Sequence, residues 1–259
     1  MQTSLSSHPL LDSNGSVPEE VLNKISTDEK LKPSGFQVQK LKNETRRNWD
    51  LFYKRNTTNF YKDRHWLGVE FEELLPSTNL HTQKKVILEL GCGVGNFLFP
   101  QLQRDENCLI HACDLSERAI EFIKKNDKFD ESRCNPFVCD ITTDEILNEI
   151  EFNSVDIITS IFCLSAIDPT LHNYGYLDEA QLRFKKSNKI EDNFYFRQDG
   201  TFSYYFDLSY INNLFKSNDQ EVWEELELNY VLKKCSNKKQ GKNFDRIFTQ
   251  AKFRKAFKI

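Results

Sequence analysis

No Cys-x-x-Cys pair occurs among the seven cysteines of this 259-residue chain, and seven is an odd number. A zinc ribbon or a complete disulfide framework is therefore not expected, and a reducing compartment fits better. No apolar run approaches the roughly 18 residues that would cross a bilayer. The longest apolar-rich stretch, Val155 to Ile167, is broken by Asp156, Thr159 and Ser160. The opening residues, MQTSLSSHPLLDSNGSVPEE, place no charged segment before an apolar one, so no secretory leader is expected. No internal repeat is visible. These absences argue against membrane, secreted and fibrous classes. What is present is a hydrophobic fraction of 39%, a charged fraction of 29% and 21 phenylalanines, enough large side chains for a sizeable core. The expectation is one large soluble domain with decorations, without a membrane partner. The expected location is cytoplasmic, with a nuclear pool as well.

The net charge of −4 is spread unevenly. Residues 233–259 hold ten Lys or Arg against Asp245 alone, and residues 40–66 hold eight against Glu44, Asp50 and Asp63. The remainder is strongly acidic. Two basic segments on an acidic body are the usual footprint of a polyanion-binding face, although a solvated basic tail has the same charge.

Residues 1–35 are polar and punctuated by Pro9, Pro18 and Pro33, which predicts a largely disordered lead-in with one short helix near 19–31. Residues 36–80 thread Trp49, Phe52, Tyr53, Phe60, Tyr61, Trp66 and Phe71 among charges, as amphipathic helices and an ordered loop would. From 84 to 167 strand and helix patterns alternate. Strands are expected at Lys85–Leu90, Leu109–Cys113, Phe137–Cys139 and Val155–Ala166, the last buried on both faces. Helices are expected to about Lys125, capped by Ser116, and over Thr143–Ile150. The 174–259 half adds a hairpin over Phe194–Phe206 around Asp199-Gly200, a helix near 207–216, and strands at Val222–Leu232 and Arg246–Phe253. Such alternation predicts an α/β fold with a doubly wound, mainly parallel sheet.

The sharpest motif is Glu89-Leu-Gly91-Cys-Gly93-Val-Gly95, directly after the first strand. Glycines there let the backbone turn tightly and approach a ligand, with a helix following. A dinucleotide loop would want Gly-x-Gly-x-x-Gly, but position 96 is Asn. No acid for hydride transfer stands out either, so a nicotinamide oxidoreductase is the weakest reading. The loop instead resembles that of class I methyltransferases, which bind S-adenosylmethionine. Asp114 at the end of the second strand can accept both ribose hydroxyls. Asp140 at the end of the third can reach an adenine amino group, and Ile141 can pack on the ring. Ligands in such sheets bind at the carboxyl ends of the strands. The bland alternative makes the glycines a turn and the aspartates helix caps.

The strings NWDLFYKRNTTNFYKDRHW, ELGCGVGN, CDLSERAIEF and NFYFRQDGTFSYYF resemble the eukaryotic tRNA 3-methylcytidine methyltransferases, closest to their serine-tRNA branch. The similarity runs from about Phe36 to the C-terminus, and the first and last strings are far more specific than the glycine loop. The resemblance implies that Trp49, Tyr53, Gly91, Asp114, Asp140, Ile141 and Ile161 line an S-adenosylmethionine site. It implies methylation of the cytidine at anticodon-loop position 32 of serine tRNA, with seryl-tRNA synthetase as a partner. Arg64, His65 and Trp66 become candidates for clamping the loop, against ordinary roles as an ion pair, a packed imidazole and a core aromatic. Arg197 and the run Lys185-Lys186-Ser-Asn-Lys189 become candidates for phosphate contacts, or a solvated charge run. No catalytic Cys–His pair is seen, and Cys92 reads as a small spacer. No metal is expected.

One departure stands out. After the fourth strand the family has a helix, a turn and a fifth parallel strand ending in Arg-Asp-Tyr-Gly. Here only seven residues separate Ile167 from Gly175. A parallel crossover needs about 10–12 residues or more, so roughly 20–25 residues are missing relative to the family. The expected consequence is an open edge on the fourth strand and bare apolar surface. Leu177–Lys186 as crossover and Phe194–Arg197 as replacement strand is the alternative, which the resemblance argues against. Two further readings stay open: a truncated isoform that binds cofactor, tRNA or synthetase without turnover, and a class I methyltransferase with a non-RNA substrate.

Overall fold

The structure is a computed structural model describing residues 10, 16–76, 84–167, 174–216, 222–237 and 241–256. In chain order come α1 (Glu19–Ile25), α2 (Gly35–Asn43), α3 (Thr45–Asn56), α4 (Leu67–Glu70), β1 (Lys85–Leu90), α5 (Leu98–Arg104), β2 (Cys108–Asp114), α6 (Glu117–Lys124), β3 (Cys134–Val138) and β4 (Ile157–Ser160). Then follow β5 (Tyr174–Gly175), α7 (Glu179–Leu182), β6 (Lys189–Glu191), β7 (Phe194–Phe196), β8 (Phe202–Phe206), α8 (Leu208–Lys216), β9 (Val222–Asn237) and β10 (Lys242–Ala256). The chain divides into two compact units, one of residues 43–163 and one of residues 1–42 with 164–259.

The first unit is built on a parallel sheet of order β3-β2-β1-β4. The register runs from Lys85 opposite Cys108 to Leu90 opposite Cys113, and from Ile87 opposite Ile157 to Leu90 opposite Ser160. β1 is central, so both of its faces are buried, and its sequence KVILEL is apolar nearly throughout rather than alternating. On one face Ile87, Ile110 and Ala112 pack with Leu98 and Leu102 of α5 and Ile120 and Ile123 of α6. On the other, Leu88, Cys113 and Phe137 pack with Ile150.

Three expectations about this unit change. The third strand is Cys134–Val138, shifted toward the N-terminus. The helix expected over Thr143–Ile150 is a single 3₁₀ turn, Ile146–Asn148. Its own backbone bonds span three residues rather than four, Asn148 N to Glu145 O at 3.1 Å and Glu149 N to Ile146 O at 3.0 Å, after a turn in which Asp140 Oδ1 accepts from Thr142 N at 3.0 Å and Asp144 Oδ2 from Asp140 N at 2.8 Å. The fourth strand is only Ile157–Ser160, and it is not buried on both faces, because Ile158 is 60% exposed. Among the described residues the sheet ends at β4, so no neighbour covers that side chain. The proposed replacement strand does not join this sheet, since β7 pairs antiparallel with β8. The abbreviated connection itself, residues 168–173, lies outside the described residues.

The second unit is a six-stranded sheet of order β6-β7-β8-β5-β10-β9. β5 lies parallel to β8 and antiparallel to β10, and β9 with β10 forms a long antiparallel ribbon. The expected hairpin over 194–206 and the helix near 207–216 are both present. The lead-in helix is the shorter α1, and the rest of that expectation falls partly on residues 1–9 and 11–15, which are not described. Asp178, fully buried, anchors this unit. Its carboxylate accepts from Arg246 Nε at 2.9 and 3.1 Å, from Ile247 N at 2.7 Å, and from Ala180 N at 2.8 Å as the cap of α7. All seven cysteines are free thiols.

The open edge is testable by substitution. Ile158→Lys should alter stability by no more than about 0.5 kcal/mol, whereas Ile87→Ala, one strand inward, should cost about 2–5 kcal/mol. Urea denaturation of both variants checks this, and a large loss from Ile158→Lys would mean that the β4 face is covered.

Candidate active site

The glycine loop folds as its composition requires. Gly91 and Gly93 have φ of +67° and +56°, where a Cβ is strained. Space is also lacking. A Cβ at Gly91 would lie 2.3 Å from Cys163 Sγ, and one at Gly93 would lie 2.9 Å from Tyr53 Oη. The loop is therefore pinched between Cys163, beyond the end of β4, and a tyrosine of α3.

Asp114 is the hub of this arrangement. Its Oδ2 accepts from Gly93 N at 2.8 Å and its Oδ1 from Ser116 N at 2.9 Å, so one carboxylate fixes the loop and the entry to α6. Burial pushes its pKa up to about 6, with those two N–H bonds pulling the other way. Ser116 caps α6 by accepting from Ala119 N, as its position before the helix implied. Ser116 Oγ donates to Asp50 Oδ1, which also accepts from Arg118 N at 3.3 Å. Asp50 thereby fastens α3 to the end of β2. On α3, Trp49 packs 5.2 Å from Phe52 and 6.0 Å from Tyr53, and Phe52 and Tyr53 pack with Val94 and Ala119. Burial, and then Asp114, push the Tyr53 phenol well above its ordinary pKa, so it stays protonated.

Glu89, the first residue of the glycine motif, has no role that spacing alone assigns. It is buried, and its Oε2 has no hydrogen-bond partner among the described residues. Burial raises its pKa to about 8, opposed by the charge of Arg64 and reinforced by that of Asp114. An orphaned carboxylate in a buried cradle is what a cationic group would satisfy. The sequence offered a signal for it, a charged residue in an otherwise apolar central strand, but the motif already accounted for it as a marker.

The other candidates separate. Arg64 is half-buried, its guanidinium 4.7 Å over Phe162 and its N–H donated to Asn96 O at 2.8 Å. It thus sits against the end of the glycine motif. His65 is exposed and not a packed imidazole, and its carbonyl accepts from Arg104 Nη2 at 2.7 Å. Trp66, 40% exposed, is not a core aromatic. Asp140 is half-buried two residues past β3, and its Oδ1 accepts from Thr142 N and Oγ1. Ile141 packs on the Cys113–Phe137–Cys139 cluster, and Ile161 on the opposite core with Ile87 and Phe97. Arg197 lies in the other unit, where it braces its own hairpin by donating to Phe202 O at 2.9 Å and Ser203 Oγ at 3.1 Å. Cys92 is a buried spacer whose thiol is pushed well up by burial. Among the described residues no group of His, Cys, Asp and Glu could hold a metal.

Residues 88–180 match the family described as "Methyltransferase domain". The chain is 44% identical over 252 residues to tRNA N(3)-cytidine methyltransferase METTL6 of Homo sapiens, covering 90% of this chain and 87% of the relative. It is 37% identical over 253 residues to tRNA N(3)-methylcytidine methyltransferase trm141 of Schizosaccharomyces pombe, covering 86% and 98%. A SAM-dependent methyltransferase from Anabaena variabilis has the same fold at a TM-score of 0.52 and 12% identity, over 81% of this chain and 94% of that one. The parallel sheet with its glycine cradle is that of a class I methyltransferase, and the chain belongs to the tRNA N(3)-cytidine methyltransferase family.

Proposed function

We propose that this protein uses S-adenosylmethionine to convert a tRNA cytidine to 3-methylcytidine. The observation that carries this reading is the reach of the likeness, which extends over 90% of the chain and so takes in the α3 cap as well as the cradle. The residues present fit the cofactor. Asp114 would accept from the adenosine ribose, since its bonds to Gly93 and Ser116 leave further lone pairs on the carboxylate. Asp140 and Ile141 would hold the adenine, and the positive charge of the methionine portion would supply what the Glu89 carboxylate lacks. Trp49, Tyr53 and Gly91 shape the cradle, and Ile161 follows the strand nearest the substrate. When bound, S-adenosylmethionine supplies an electrophilic methyl group on a sulfonium. Cytosine N3 keeps a free lone pair at neutral pH, so it accepts that methyl without a general base. The positive charge then resides on the ring, and alignment of the two reactants supplies most of the acceleration. N3 lies on the Watson–Crick edge, so the base must be unpaired or turned out, which favours a loop cytidine. Position 32 of serine tRNA, assistance from seryl-tRNA synthetase, and a cytoplasmic location with a nuclear pool belong to the same proposal.

A second reading, binding without turnover, draws on one observation: β4 is an edge strand with Ile158 exposed. Methyl transfer from labelled S-adenosylmethionine to total tRNA, with and without seryl-tRNA synthetase, decides between them. Labelled 3-methylcytidine after digestion is the expected result; folded protein that binds cofactor without product would favour the second reading.

Asp114 makes a pH-dependent prediction. A group that titrates near 6 is ionised above that pH and neutral below it, and only the ionised form is a full charge-assisted acceptor. S-adenosylmethionine affinity should therefore fall as pH drops through 6. Asp114→Asn should bind at least about tenfold more weakly at neutral pH and lack that step, by calorimetry. RNA binding is testable on the β9–β10 ribbon. There Lys233 and Lys234, opposite Arg246 and Asp245, lie toward one end, while Glu224, Glu225 and Glu227 lie toward the other. Deleting 233–259 would remove β10 and with it buried Ile247 and the Arg246–Asp178 pair, so charge substitution is the cleaner test. Lys233→Gln with Lys234→Gln should weaken tRNA binding and reduce the slope of log K against log salt by about one for each phosphate that a lysine no longer neutralises.

A further inference from the structure

The loop that leaves α3 carries an aromatic side chain that neither the core nor the cradle uses. Phe60 is 57% exposed. It is nonetheless held in place: its ring meets Phe52 at 4.9 Å and 75°, and Tyr61 at 4.7 Å and 82°. Phe52 itself is buried against Tyr53 and Val94 beside the glycine loop. The backbone is equally fixed. α3 ends at Thr57, whose φ of +51° turns the chain sharply, and Asn59 closes the turn through its N–H to Asn56 O at 3.1 Å and its Nδ2 to Thr57 Oγ1 at 3.0 Å. Beyond Phe60 the loop is pinned to the residue after the glycine motif, because Asn96 O accepts from Arg64 N and Asn96 Nδ2 donates to Asp63 Oδ1 at 3.1 Å. Exposed cations flank the ring along the chain: Lys54 and Arg55 in the last turn of α3, and Lys62 two residues on.

A rigid, solvent-facing aromatic ring among cations, anchored to a methyl-donor cradle, matches the chemistry of an unpaired nucleotide. The base stacks on the ring and its phosphate meets the lysines and arginine. A surface for a protein partner would not need the cations, and a core aromatic would not be left in water. We infer that Phe60 is a stacking platform for an unpaired RNA base next to the target cytidine, and that Lys54, Arg55 and Lys62 hold the adjoining phosphates. This inference rests on the RNA methyltransferase reading. It assigns Phe60 to substrate binding rather than to the cofactor or the fold.

The test uses the full chain and a synthetic anticodon-stem-loop RNA carrying 2-aminopurine beside the target cytidine, whose fluorescence falls on stacking. Phe60→Leu keeps apolar bulk but removes the π face; Phe60→Tyr keeps the face. Phe60→Leu is expected to abolish the quenching and raise the RNA Kd and KM about tenfold or more, leaving S-adenosylmethionine affinity and Tm unchanged. Phe60→Tyr is expected to behave as the parent. Wild-type methyl transfer with undiminished quenching and affinity in Phe60→Leu would overturn the platform while leaving the methyltransferase reading intact. An effect of Phe60→Leu seen only when a synthetase is present would overturn it in favour of a protein-docking surface. Quenching by the wild type without methyl transfer would sink the methyltransferase reading and support the platform.

Discussion

Asp114 accepts the Gly93 N–H on one oxygen and the Ser116 N–H on the other while buried beneath the aromatic cap. Most of the first unit's geometry depends on that arrangement. A buried carboxylate is costly unless its lone pairs are met, and the donors that meet it come from the glycine loop and the start of α6. Those segments converge on the end of β2, where they meet the carboxylate's lone pairs. Ser116 then passes the constraint to Asp50, so α3 is located by the same chain of bonds that shapes the cradle. A raised pKa follows directly, because a carboxylate satisfied only by neutral donors inside the protein is less comfortable charged than one in water.

Glu89 shows the complementary case. It lies on the same sheet end, equally buried, but one oxygen is unmet and its pKa stands higher, at about 8. Burial raises the pKa of both carboxylates of the cradle, that of Glu89 further than that of Asp114, so Glu89 is the one that gains most from a positive charge. Arg64 moderates this from its seat over Phe162, close enough to lower the Glu89 pKa. The cradle is therefore electrostatically prepared for a ligand with a neutral hydroxylated end and a cationic end.

The parallel sheet stops at β4 among the described residues, and the short chain that would return as a fifth strand instead enters a mostly antiparallel sheet as β5. Two residues of strand can pair with β8 and β10 because Asp178, just beyond, locks Arg246 and Ile247 of β10 in place. The second unit thus has its own polar anchor and its own aromatic clusters, around Phe206 and around Phe194.

The sequence by itself determined the alternation of strand and helix through the first three strands, the glycine turn, the cap at Ser116, and the two aspartates at the ends of the β2 and β3 segments, since each is written in local periodicity or backbone need. It also carried the missing crossover, because a chain of seven residues cannot build one. Only the tertiary structure decided that the 143–150 segment would form a single 3₁₀ turn, that β4 would be short and exposed, and that Arg197 would brace its own hairpin. It also decided that Asp50, Glu89 and Phe60 matter. Their significance lies in partners 66 residues distant, in a partner that is lacking, and in a ring left in water. None of these can be read from spacing, because a side chain's environment is set by elements that meet only when the chain has folded.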